Sequence, residues 1–223
     1  MRKWIMMAIS LMAVLSINAQ DVERPEFEIK IISKKWTKIS PRVETVSNDA
    51  TVRDFAMAFC RQYQNYKPNA SMVDYINNPG AYKYEDKHYL VEDSVNNCFI
   101  KTDMAWQCDY NTEVCCWHRT NGNTLVGVLM QIGSEGEGID TKFALLFYDY
   151  NPLLKVMTPD RKIYKSVRDI IAKNKSGTPM VYLPKEGDCI TVSYVKWTRK
   201  DDFVFKDIEL KWDGEKFIKQ DVQ

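Results

Sequence analysis

Residues 98–150, CFIKTDMAWQCDYNTEVCCWHRTNGNTLVGVLMQIGSEGEGIDTKFALLFYDY, place the strongest constraint on the fold. Asn121-Gly122 separates two runs of strand formers, and both residue types tolerate the positive φ of a tight hairpin loop. A two-residue loop is expected to set Thr120 against Asn123. Trp117 would then oppose Val126, Cys115 would oppose Val128, His118 would oppose Leu125, Cys116 would oppose Gly127 and Val114 would oppose Leu129. Both faces of that hairpin are apolar, and so are both faces of the KFALLFYDY that follows. Strands of this kind sit inside a sheet covered on two sides.

The rest of the chain supplies the cover. FEIKIISKKW, Phe27 to Trp36, alternates well enough to predict a strand, and Pro41 keeps the next stretch a loop. Asp49 reads as the N-cap of a helix whose apolar stripe is Val52, Phe55, Phe59, Tyr63 and Tyr66, with Pro68 as its stop. A shorter helix is expected over Ala70 to Ile76, ahead of Pro79-Gly80. In CFIKTDMAWQC the even positions, Cys98 to Cys108, read as a core face and the odd ones as solvated, with a turn at 109–111. Lys162 to Lys173 carries a third helical stripe, Ile163, Val167, Ile170 and Ile171. CITVSYVKW, FVFKDIELKW and EKFIK read as closing strands, with Asp213-Gly214 as a second turn. No linker, low-complexity run or repeat divides the chain, so the expected fold is one α+β domain over 20–223, with N-terminal helices packed on a largely antiparallel β-sheet of hairpins.

Residues 1–19 have the layout of a signal peptide. Arg2 and Lys3 precede an apolar run from Trp4 to Leu15, and Ile17 and Ala19 suit a cleavage site before Gln20. The run is too short for a membrane span and no other follows, so an exported, periplasmic or extracellular product without a membrane span is expected. The leader contains no cysteine to be lipidated. Cleavage removes two basic residues and no acidic ones, turning a net charge of +1 into −1. A near-neutral chain lacks the basic excess of a nucleic-acid binder.

Six cysteines, Cys60, Cys98, Cys108, Cys115, Cys116 and Cys189, all follow the leader. An oxidising compartment permits disulfides, yet a core of this size does not require them, and buried thiols and one or two bridges both remain open. Bridges are sought among Cys108, Cys115, Cys116 and Cys98. Zinc is disfavoured because Cys115 and Cys116 point to opposite faces of a strand and no Cys-x-x-Cys pair is present. No metal and no cofactor is therefore expected.

Cys116 and His118 share a face and form the candidate pocket or thiol face; a catalytic triad built on them would lack an orienting partner. The carboxylates Glu135, Glu137, Asp140 and Asp149 are what a hydrolase reading would use, although GSEGEG reads as a solvated loop. Trp197 and Trp212, flanked by Lys196, Arg199, Lys200 and Lys211, form a candidate exposed aromatic surface for a glycan, a peptide or an envelope protein.

The leader ending in Ala-Gln, the phrase FYDYNPLLKVMTPD and the closing LKWDGEKF together resemble small uncharacterised secreted proteins of gut Bacteroidetes. That family has no assigned activity, so the resemblance implies an envelope location and carries over no site residues. It also implies that Ser94, in Asp93-Ser94-Val95, is a candidate O-glycan acceptor. The expected function is non-catalytic binding or an envelope-accessory role. An extracytoplasmic hydrolase acting on glycan or peptide is the alternative, and a redox protein with an exposed low-pKa thiol is a third possibility.

Overall fold

The computed structural model describes residues 25–45, 49–79, 89–105, 109–133, 142–174, 177–197 and 203–221. Helices α1 (Pro25–Lys35), α2 (Val52–Cys60) and α3 (Lys67–Asn77) precede β1 (Tyr89–Ser94), β2 (Phe99–Ala105), β3 (Asp109–His118), β4 (Thr124–Gly133), β5 (Lys142–Asn151) and β6 (Val156–Pro159). Helix α4 (Arg161–Lys173) then leads to β7 (Thr178–Tyr182), β8 (Cys189–Trp197), β9 (Phe203–Trp212) and β10 (Phe217–Asp221). The first six strands form an antiparallel meander, and the last four form a second antiparallel sheet in the order β10-β9-β8-β7. The α+β class with mostly antiparallel pairing is therefore as expected.

The six-stranded sheet is the middle layer. Its even-numbered side chains, among them Ile100, Val114, Val126, Val128, Met130, Leu146 and Tyr148, pack against Trp36, Phe55, Phe59 and Met72 of the N-terminal helical layer. Its odd-numbered ones, Phe99, Cys115, Trp117, Leu125, Leu129, Leu145 and Phe147, pack against α4 and the four-stranded sheet. This is why β4 reads as an unbroken apolar run, since neither face meets water.

Several local expectations are corrected. The strand expected over Phe27 to Trp36 is α1 followed by a 3-10 turn at Trp36–Lys38. Ile29, Ile32 and Trp36 are the residues it buries, and their spacing of three and four is helical. The polar gaps at Glu28 and Lys30 imitate alternation. The N-cap of α2 is Thr51 rather than Asp49. Its N–H donates to Asp54 Oδ2 at 2.7 Å and its hydroxyl to the same oxygen at 2.9 Å. Pro68 opens α3 instead of closing α2, at a position where its missing N–H is no loss. The turn placed at 109–111 is instead strand, because Asp109 pairs with Ala105; residues 106–108 lie outside the described residues.

The hairpin register also shifts by one. His118 pairs with Thr124, Trp117 with Leu125, Cys116 with Val126 and Cys115 with Gly127. Arg119 N–H donates to Asn123 O at 3.0 Å, Gly122 N–H donates to Arg119 O at 3.2 Å, and Gly122 alone takes the left-handed conformation, at φ +82. The Asn-Gly signal marks the right place, but the loop is a three-residue turn ending in a glycine bulge. The corrected register puts Trp117 over Gly127, where a Cβ would lie 2.8 Å from Trp117 Cζ3.

Buried polar side chains tie the layers together. Glu113 accepts the N–H of Leu183 at 3.0 Å and Gln131 accepts that of Val181 at 3.1 Å, joining the middle sheet to the chain around β7. On the other face Tyr66 donates to Asn111 O at 3.0 Å. The loops at 119–123 and 213–216 meet through Thr120 N–H and Gly214 O at 3.2 Å, which fixes that end of the sandwich.

Candidate functional site

The first site lies at the end of β3. Strand β2 begins at Phe99, opposite Cys115, so Cys116, Trp117 and His118 run past it. Cys98 is drawn back across this gap. Its carbonyl accepts the Cys116 N–H at 3.1 Å and its backbone is left-handed at φ 55, an uncommon conformation for a residue other than glycine. The result is a cleft of about 500 Å³ lined by Asn96, Cys98, Cys116, His118, Asp188 and Trp212, with Trp117, Glu186 and Gly187 completing the wall.

The two cysteines are neighbours, with Cys116 Sγ 3.9 Å from Cys98 O. The hydrogen bond from Cys116 to Cys98, opposed by burial and helped by the neighbouring His118, lowers the Cys98 thiol from 9.0 to about 6. The same bond and burial push Cys116 the other way. A thiolate at Cys98 facing a protonated Cys116 is the charge distribution this geometry favours. Cys60 and Cys115 are buried, and burial raises both. Cys189 is pushed up to about 11 by burial and by neighbouring Asp188.

The expected site residues are distributed unevenly. Cys116 and His118 do share a face and line the cleft, with His118 exposed. Trp212 is not part of an open aromatic surface: it is only 7% exposed and its Nε1 donates to His118 O at 2.9 Å, so one edge of the ring forms the cleft wall. Trp197 ends β8, and its side chain lies outside the described residues. Ser94 is half-buried at the end of β1, beside an Asp93 whose carboxylate is held by Arg53 at 2.7 Å.

Cys98, Cys116, Cys60, Cys115 and Cys189 are free thiols, and Cys108 lies outside the described residues. Among the carboxylates of the hydrolase reading, Glu135, Glu137 and Asp140 also lie outside them. Asp149 is engaged by Arg119 Nε at 2.8 Å and Asn123 Nδ2 at 2.6 Å. Among the described residues no group of three or more His, Cys, Asp and Glu side chains is placed to hold a metal ion. Among them, too, no helix is long and apolar enough to cross a membrane.

Reasoning from sequence missed that Cys98 is the partner of Cys116, and that Asn96, Glu186 and Asp188 approach from other elements. Cys98 was findable once Phe99 is set against Cys115, because the next residue back then falls opposite Cys116. Asp188 and Glu186 carry no sequence signal that links them to this place.

The second site lies where α4 crosses the outer side of β5. Strand β6 pairs only with Tyr148–Asn151, and among the described residues no strand covers Phe143–Leu146 on that side. Asp160 N–H donates to Phe147 O and Lys155 N–H to Asn151 O, both at 2.8 Å, so the odd residues of β5 direct their main-chain groups away from β4. By the alternation of an antiparallel strand, the N–H and C=O of Leu145 and Phe143 face the same way. They border a pocket of about 450 Å³ whose walls include Tyr164, Val167, Ile171, Ala172 and Pro179, with Ser33, Arg168 and Asn174 as polar points.

Comparison with known proteins identifies no family: no family model matches the chain and no curated protein matches it. Among solved structures it is similar to a domain of an uncharacterized protein from Porphyromonas gingivalis W83, at 12% identity and a TM-score of 0.42, over 68% of this chain and 88% of that one. A likeness so distant carries no functional argument.

Proposed function

We propose that this is an exported, non-catalytic binding protein that takes a short apolar peptide segment against the outer edge of β5. The observation that carries the reading is the pairing of strand-edge N–H and C=O groups at Leu145 with apolar walls from α4, in a pocket of about 450 Å³. Main-chain groups that add a strand supply affinity in this mode, and flanking apolar pockets select side chains. A volume within the usual range for ligand sites and few convergent polar groups support the same reading. The basic-then-apolar leader of residues 1–19 supports export.

Isothermal titration with end-capped tripeptides of leucine, valine and phenylalanine tests this. Saturable binding is expected, weakened about tenfold when the central amide is N-methylated and one main-chain hydrogen bond is lost. Ala172→Trp, at the exposed rim of the pocket, is expected to abolish it. No binding by any of these peptides, or equal binding of methylated and unmethylated forms, overturns the proposal.

A further inference from the structure

The cleft at the end of β3 contains a pair of chemically unequal thiols that the binding reading does not use, and none of its lining residues belongs to the peptide pocket. We propose that Cys98 and Cys116 form a thiol–disulfide exchange site, with Cys98 as the attacking sulfur, Cys116 as the resolving sulfur and His118 as the proton acceptor, acting on disulfides presented to this cleft.

Position assigns the roles. Cys98 and Cys116 are both half-buried and both line the cleft, but Cys116 also packs against the helix-covered core. The Cys116 N–H bond to Cys98 O holds the two residues directly opposite one another across the strands, a placement compatible with the Cα separation of a disulfide. Cys116 Sγ also lies 3.9 Å from Cys98 O. The left-handed backbone at Cys98 breaks the strand regularity at that residue. Structural thiols such as Cys60 and Cys115 are sealed in the core, whereas this pair opens on solvent beside an exposed imidazole. The lowered thiol of Cys98 adds to the argument, because only the thiolate attacks.

The chemistry balances without a metal or an organic cofactor. Cys98 Sγ, as the thiolate, attacks one sulfur of a disulfide R–S–S–R′; that S–S bond breaks, and R′–S⁻ leaves and takes a proton from solvent. Cys116 then passes its proton to His118 and attacks Cys98 Sγ in the mixed disulfide, expelling R–S⁻, which is protonated in turn. Two electrons pass from the cysteine pair to the substrate. The chain ends with a Cys98–Cys116 disulfide and the substrate with two thiols.

The full chain lacking residues 1–19 is equilibrated with oxidised glutathione, quenched with an alkylating reagent and mapped by peptide mass spectrometry. Loss of two hydrogens in a linked Cys98 and Cys116 peptide pair is expected. Cys116→Ser is expected to accumulate glutathione on Cys98, and Cys98→Ser to leave Cys116 unmodified. The rate of Cys98 alkylation in the wild-type chain is expected to rise through a midpoint near pH 6, and His118→Gln is expected to slow closure of the mixed disulfide. Because the wild-type mapping needs no variant, a misfolded mutant does not weaken the test. Two free thiols at 98 and 116 after treatment, or a bridge from either to Cys108, overturns the proposal, and neither result bears on peptide binding at β5.

Discussion

The carboxylate of Glu113 accepts the main-chain N–H of Leu183 at 3.0 Å, across the interface between the two sheets. Glu113 is 3% exposed, and Lys101 Nζ lies 3.6 Å away. Burial raises its carboxyl above the usual 4.5, although Lys101 and the Leu183 N–H pull against this. Glu113→Ala is expected to reduce unfolding free energy by about 1–3 kcal/mol, because a buried N–H loses its partner. The pH dependence has a definite sign. From 4.5 up to the raised folded value the folded state holds more proton than the unfolded state, so this group's contribution to stability falls as pH rises through that window. Urea midpoints measured across the window are expected to show that slope in the wild type and to lack it in Glu113→Gln; an unchanged slope sinks the assignment.

Gly127 is required by the Trp117 ring rather than by its own backbone. A Cβ at 127 meets Trp117 Cζ3 at 2.8 Å, and Phe147 Cε1 stands 3.6 Å away on the other side. Gly127→Ala is expected to destabilise by about 1–3 kcal/mol through overpacking. Combining it with Trp117→Leu is expected to be less damaging than the sum of the two single changes. Additive denaturation midpoints count against the contact.

Asp160 joins the helix to the hairpin. Its Oδ1 accepts Ile163 N–H at 2.9 Å as the N-cap of α4, and its Oδ2 is ion-paired with Arg119. Arg119 Nε also lies 2.8 Å from Asp149, and its guanidinium lies 5.7 Å from the centre of the Trp212 ring. Asp160→Asn keeps a capping oxygen and loses the charge, whereas Asp160→Ala loses both. The alanine variant is expected to be the less stable by about 0.5–2 kcal/mol in thermal unfolding, and equal stabilities remove the capping role.

Thiol accessibility follows burial. A brief native alkylation at neutral pH is expected to modify Cys98 ahead of Cys189, Cys60 and Cys115. Burial suppresses ionisation at Cys60 and Cys115, while burial and Asp188 suppress it at Cys189. Peptide mapping reads the order, and labelling of Cys60 or Cys115 before Cys98 contradicts it.

What was legible from sequence was the face of each strand residue. Val126, Val128 and Met130 on one side and Leu125 and Leu129 on the other follow from alternation alone, and so does the need for two covering layers. The stripe of α4 was equally clear, with Ile163, Val167 and Ile171 buried as their spacing requires. Less legible was α1, because Ile29 and Ile31 alternate like a strand while Ile29, Ile32 and Trp36 repeat like a helix. Packing against the sheet favours the second pattern: Ile29, Ile32 and Trp36 all go into the core.

The sequence by itself determined that β3, β4 and β5 must be an interior sheet, because apolar residues on both faces leave no side for water. Only the tertiary structure decided which residues stand side by side. Alternation has a period of two and says nothing about what lies across the strand. The partner depends on loop length, and here the glycine bulge at Gly122 and the space above Gly127 set it. Between β2 and β3 the pairing of Phe99 with Cys115, with strand at Asp109 where a turn was expected, brings Cys98 to Cys116. The meeting of the 119–123 and 213–216 loops then closes Trp212 over His118 and makes a cleft of two residues that the sequence left as a contact pair.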